Sequence, residues 1–141
     1  PLPSSPAASM PLIAGMPAHI ALVDDDPSIR RGVGRMLELS GLSVTTYPSA
    51  EALLDAGAGR FDCLVLDIHL PGMSGPECYS GLQARGTVPP AVFITAHDAT
   101  ETQDLLQRVG HAPCLRKPFR SHHLLQAIRD LLPFDAPPIH Q

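Results

Sequence analysis

Tryptophan is absent from the chain, and aromatic residues make up only 4% of it. Small and aliphatic side chains must therefore fill the interior, as they do around parallel sheets. No basic run is longer than Arg30-Arg31, none is interleaved with aromatics, and the net charge is −4. That balance argues against direct nucleic-acid binding by this chain. No stretch approaches the roughly 18 consecutive apolar residues of a membrane span. The apolar segment from Met10 to Met16 lacks a basic flank and is interrupted by Pro and Gly, so neither a signal peptide nor a membrane contact is expected. The three cysteines, Cys63, Cys78 and Cys114, have no C-x-x-C spacing, and an odd count makes a poor disulfide framework. A reducing, cytoplasmic setting is the natural expectation.

With 141 residues and 44% hydrophobic content, the chain can bury one core. Half of its 16 prolines fall in two short segments near the ends. Residues 1–17 are expected to be an extended Pro-rich tail, 18–132 the folded domain, and 133–141 a tail or the start of a linker. The chain begins at Pro rather than Met, which suggests a processed or cut chain with Met10 or Met16 as candidate natural starts.

Between the tails, strand and helix patterns alternate. Ile20–Val23 is a short apolar run ending in acids; Ile29, Val33, Met36 and Leu37 then recur at helical spacing, with Pro27 near the start and Gly41 past the end. Leu42–Tyr47 reads as a strand, and Ser49 is placed to cap a helix ending near Gly57. Cys63–Leu66 reads as a strand buried on both faces. A weaker helix from about Pro76 to Ala84, the strand Ala91–Ile94 and a helix closed by Gly110 follow. A brief strand, Cys114–Leu115, and an amphipathic helix marked by Leu124, Leu125, Ile128, Leu131 and Leu132 end the pattern. Five strands, each followed by a helix, imply a parallel α/β sheet with helices on both faces and right-handed crossovers.

Asp67 ends the central apolar strand, at the sheet edge where α/β proteins gather their chemistry. Asp24-Asp25-Asp26 ends the first strand. Neighbouring carboxylates repel by about 4 kcal/mol at 4 Å in an effective dielectric near 20, so such a run needs a reason. One Asp there is a helix cap. Two or three beside Asp67 are better explained as a hard-cation site, with the oxygen ligands Mg²⁺ prefers. Thr95 ends the next strand and Lys117-Pro118 follows the last. Acid pair, lone acid, hydroxyl and lysine, each at the end of a different strand, make a phosphoryl-transfer constellation in which the lone carboxylate attacks phosphorus and the cation and Lys neutralise charge.

Leu22-Val-Asp-Asp-Asp-Pro-Ser-Ile-Arg30, Leu66-Asp-Ile-His-Leu-Pro-Gly-Met-Ser-Gly75, Phe93-Ile-Thr-Ala96 and Lys117-Pro-Phe119 occur in that order. In these pieces the chain resembles the receiver domains of two-component response regulators, over about residues 18–132. The resemblance implies a flavodoxin-like (βα)5 sandwich with strand order 2-1-3-4-5. It implies that Asp67 accepts a phosphoryl group from a histidine kinase or phosphotransfer protein. It also implies that Asp25, Asp67 and the backbone carbonyl of His69 ligate Mg²⁺ (or Mn²⁺), with Asp24 acting mostly through water. Thr95 and Lys117 would bind phosphoryl oxygens, and the Lys117-Pro118 bond would be cis. Tyr47-Pro-Ser-Ala-Glu-Ala-Leu-Leu54 is similar to receivers joined to helix-turn-helix transcription factors. A removed output domain and a homodimer on phosphorylation are accordingly among the expected partners. Family analogy places that surface on the last two helices and last strand, or on the first and last helices.

Two features depart from the family pattern. Cys114 stands three residues before the lysine, where an aromatic switch residue is usual, and is expected to pack in the core. His69 and His97 each lie two residues after a site residue and are expected to face solvent. Two other readings stay open on the residues alone. A haloacid-dehalogenase-like phosphatase shares the residue types, but it needs a second Asp where His69 stands and has its acid pair last. A phosphate-independent interaction module would not need all five site residues.

Overall fold

The computed structural model describes residues 17–86, 88–96, 99–110 and 112–132, with the side chains of 99–102 and 108 excepted. The expected tails, Pro17 apart, lie outside the described residues, as does His97. The elements are β1 (His19–Val23), α1 (Pro27–Leu39), β2 (Ser43–Tyr47), α2 (Ala50–Ala56), β3 (Cys63–Asp67), α3 (Gly75–Ala84), β4 (Ala91–Thr95), α4 (Ala99–Leu106), β5 (Cys114–Arg116) and α5 (Ser121–Leu131). A 3₁₀ turn at Gln107–Val109 prolongs α4. All sheet pairings are parallel, in the order β2-β1-β3-β4-β5. This is the flavodoxin-like architecture that the resemblance implies.

The ends of the helices follow from local chemistry. Asp26 accepts a hydrogen bond from the Ser28 N–H at 2.8 Å and precedes Pro27, whose fixed φ suits a first helical position. Ser49 caps α2 through the Ala52 N–H. Ser74 and Glu77 cap α3 reciprocally, each side chain accepting from the other's N–H. The helix expected to be weak thus carries a full capping box at its N-terminus. Leu42, expected to open the second strand, instead donates its N–H to Leu37 O. Gly41 takes a positive φ of 95° there, so Leu42 closes α1 and pairing begins at Ser43.

Alternating side chains divide the core in two. Ala21, Val23, Leu64, Leu66 and Phe93 pack with α2 and α3 on one face of the sheet. Ile20, Leu22, Val65, Val92 and Ile94 pack with α1 and α5 on the other. Phe93 is fully buried and meets Tyr79 edge-on at 6.0 Å. Phe93→Ala is expected to cost about 3–5 kcal/mol, read from urea denaturation. The three thiols are free. Burial pushes Cys63 up to about 12 and Cys78 up to about 11. Cys114 is half-buried against the Phe93 cluster, as a packing role predicts.

Candidate functional site

Strand register brings the site together. Val23 pairs with Leu66, Asp67 with Ile94 and Thr95 with Arg116. Asp24, Asp67, Thr95 and Lys117 therefore end four adjacent strands within one residue of a common rung. The Lys117 N–H donates to Thr95 O at 2.7 Å, and the Lys117-Pro118 bond is cis, as the resemblance implies.

Lys117 spans the two buried acids. Its Nζ donates to Asp24 Oδ2 at 2.7 Å and to Asp67 Oδ2 at 3.2 Å. Asp24 is fully buried, while Asp67 and Thr95 are 5% and 3% exposed. Asp25 is exposed, yet carboxylate oxygens of Asp24, Asp25 and Asp67 lie within 4.8 Å of one another. The triple-Asp run is thus divided: Asp26 caps the helix, and Asp24 and Asp25 join Asp67. Asp24 Oδ1 also accepts from the Asp26 N–H at 2.9 Å, and Arg30 Nη1 donates to the Asp24 carbonyl at 2.8 Å.

The charges do not balance. Burial, the largest influence, pushes the Asp67 carboxyl above its ordinary range; the positive charge of Lys117 opposes it, the charge of Asp24 adds to the push, and the His69 N–H offsets part of it. That N–H donates to Asp67 Oδ1 at 3.1 Å. Burial alone would lower Lys117, but its hydrogen bond to Asp24 and the charges of Asp67 and Asp24 outweigh burial and raise it. One lysine among three clustered carboxylates leaves an excess of negative charge on hard oxygen donors. A divalent hard cation fits that donor set. Asp24, Asp25 and Asp67 are the side chains able to hold it.

Three supporting contacts escaped the sequence. The β3–α3 connection folds so tightly that a methyl group at Gly75 would collide with the Asp67 carbonyl oxygen, and Gly75 N–H donates to Ile68 O. Glu51, on α2, accepts from the Met73 N–H at 3.3 Å and fixes the same connection. Arg30 is the third. The run Pro71-Gly-Met-Ser-Gly75 marks a turn, but nothing in it says which glycine touches the site. Gly75→Ala is expected to displace the Asp67 main chain, lower the melting midpoint and weaken Mg²⁺ binding. Gly32→Ala, where a Cβ meets nothing within 4 Å, is expected to stabilise α1 by about 0.5–1 kcal/mol. Thermal melts with and without Mg²⁺ read both. His69, expected to face solvent, is half-buried instead, because its backbone is drawn in by Asp67.

A family model described as "Response regulator receiver domain" matches residues 20–129. Transcriptional regulatory protein FixJ of Azorhizobium caulinodans is 36% identical over 115 residues, 81% of this chain and 54% of that protein. C4-dicarboxylate transport transcriptional regulatory protein DctR of Rhodobacter capsulatus is 32% identical over 109 residues, 75% of this chain and 55% of its own length. The chain thus spans about half the length of the curated relatives it matches. Among solved structures, the chemotaxis protein CheY4 of Vibrio cholerae aligns with a TM-score of 0.72 at 30% identity, over 82% of this chain and 99% of that one.

Proposed function

The chain belongs to the response regulator receiver family, and from that premise we propose that Asp67 takes a phosphoryl group from a histidine kinase or phosphotransfer protein. The observation that carries this reading is Lys117 reaching both Asp24 and Asp67 across the sheet edge. An Asp67 carboxylate oxygen forms the new O–P bond as the N–P bond to the donor imidazole breaks, and the imidazole nitrogen leaves with the electron pair and takes up a proton. Lys117, already within hydrogen-bonding distance of the nucleophile, passes to a phosphoryl oxygen. Thr95, at the end of the neighbouring strand, receives another. Asp24, Asp25 and Asp67, with the His69 carbonyl, would hold Mg²⁺ or Mn²⁺, which would supply charge neutralisation for the incoming oxygens. Asp24, paired with Lys117 at 2.7 Å, would act on the ion mostly through water.

The activity is a self-modification rather than turnover of a substrate. The phosphatase reading loses ground to the family match and to the acid pair standing first in the chain. The relatives named as transcriptional regulators are about twice as long, which supports an output domain outside residues 18–132, with Cys114 in place of the usual aromatic switch residue and a homodimer as one route of output. No helix among the described residues is long and apolar enough to cross a membrane.

Intact-mass spectrometry after incubation with acetyl phosphate tests the proposal. A gain of about one phosphoryl mass that requires Mg²⁺ and is removed by hydroxylamine is expected. Steady release of p-nitrophenol from p-nitrophenyl phosphate would point to the phosphatase instead.

A further inference from the structure

Away from the acid cluster, α1 and the face of the edge strand β2 enclose an open groove of about 500 Å³. Pro27, Gly34, Val44 and Thr46 form its floor, and Arg31 and Arg35 stand on its helical rim. Helix and strand lie close at Gly34, where a Cβ would meet Thr46 Cγ2 at 3.7 Å, in ordinary van der Waals contact. Arg30 also lines it but is engaged with the Asp24 carbonyl. Among the described residues, Arg31 and Arg35 have neither an ion-pair nor a hydrogen-bond partner. A chain with net charge −4 thus presents two unpaired guanidinium groups beside an apolar strip.

We propose that this groove docks an extended acidic segment of a partner protein, with acids at alternate positions facing Arg31 and Arg35. The spacing selects the ligand. Residues four apart on a helix rise by about 6 Å, and side chains on one face of an extended peptide recur about every 6.6 Å. Two carboxylates of a Glu-x-Glu segment therefore meet the two guanidinium forks in register, and Arg suits that paired contact better than Lys. The residues between the acids project to the opposite face of the extended segment, away from the two guanidinium groups. Glu38, one turn beyond Arg35, favours a basic residue at that end of the segment. A nucleic acid fits poorly: affinity for it grows with the number of phosphates neutralised. Only two free arginines are offered, and the exposed Asp25 and Asp26 lie at the helix start.

The test is fluorescence anisotropy on the full, unphosphorylated chain with a fluorescein-labelled Glu-Val-Glu-Val-Glu-Val peptide. Saturable binding is expected, weaker by about threefold or more for the same residues ordered Glu-Glu-Glu-Val-Val-Val. The pair Arg31→Glu with Arg35→Glu should lose at least about tenfold in affinity, roughly the effect of one good charge-assisted contact. Arg31→Gln with Arg35→Gln guards against misfolding and should show the same direction, whereas Arg129→Glu on α5 should bind like the wild type. Phosphorylation by acetyl phosphate should be unchanged in the Gln pair. The proposal is overturned by binding that ignores the double substitutions, by equal affinity for the blocked peptide, or by equal affinity for single-stranded DNA of the same charge. It is also overturned if sedimentation shows a wild-type dimer that the Gln pair abolishes, because a second copy would then occupy the groove.

Discussion

Asp67→Asn is expected to accept no phosphoryl group from acetyl phosphate and, in EDTA at neutral pH, to melt at a higher temperature than the wild type. The first effect follows from chemistry: a carboxamide oxygen is far too weak a nucleophile, and no other carboxylate in the cluster ends the central strand. The second follows from the site's geometry. Asp67 is 5% exposed, within 4.8 Å of two other carboxylates, and shares one lysine with Asp24. Its carboxyl is raised by burial above its ordinary range. A group raised in this way favours folding only at pH values below its unfolded pKa, and that contribution is lost as pH rises through the folded value. Once ionised, the group opposes folding through burial and through repulsion by the clustered carboxylates, and the amide removes that opposition while keeping the shape. The difference in midpoint should shrink on adding Mg²⁺, because the variant lacks one of the three carboxylates able to hold a cation. Calorimetry at several Mg²⁺ concentrations reads the stability, and intact mass reads the chemistry. A phosphoryl adduct on the variant would move the acceptor elsewhere.

Lys117→Ala should have the opposite sign. Lys117 is raised by its acidic partners, so it contributes stability at all pH values below the ordinary lysine range and loses it only as pH climbs through the folded value. Removing it leaves Asp24 buried and Asp67 nearly so, without their cation. Breaking a buried pair costs about 3–5 kcal/mol; the lysine side chain is 16% exposed, which places the expected loss near the lower limit, at about 3 kcal/mol. Because the deficit is one of charge, Mg²⁺ should recover much of it, and urea denaturation with and without the ion measures the recovery. Lys117→Met keeps the aliphatic stem and separates packing from charge: an equal loss for Ala and Met assigns the effect to the ammonium. A deficit untouched by Mg²⁺ would assign it to packing.

Most of the architecture was legible because buried parallel strands are written as continuous apolar runs, as in Cys63-Leu-Val-Leu66, and the first three are followed by helices with a readable cap. The site residues were legible for a related reason: Asp24, Asp67 and Thr95 each stop such a run, Lys117 follows the last strand, and parallel register carries strand ends to one edge. What stayed hidden depended on backbone paths. That Leu42 closes a helix rather than opening a strand is decided by its bond to Leu37 O, which no periodicity encodes. That Gly75 rather than Gly72 presses on Asp67 depends on the path of the turn. Glu51, exposed in the first turn of α2, has its partner, the Met73 N–H, in the loop after β3, 22 residues on, which no local pattern signals. Which of Asp24, Asp25 and Asp26 caps the helix was likewise beyond reach of the residues alone, since three identical side chains differ only in the direction the chain turns beneath them.

The burial that lifts Cys63 to about 12 and Cys78 to about 11 also makes them chemically silent, because the thiolate is the reactive form. Cys114 is raised in the same direction by the same cause. Electrophilic labels and mild oxidants therefore find little thiolate at Cys63 and Cys78 at neutral pH, and Cys114 is the one native thiol partly open to solvent. With Cys114 replaced, the fold supplies a quiet background on which a single thiol introduced at an exposed position would carry a dye or spin probe.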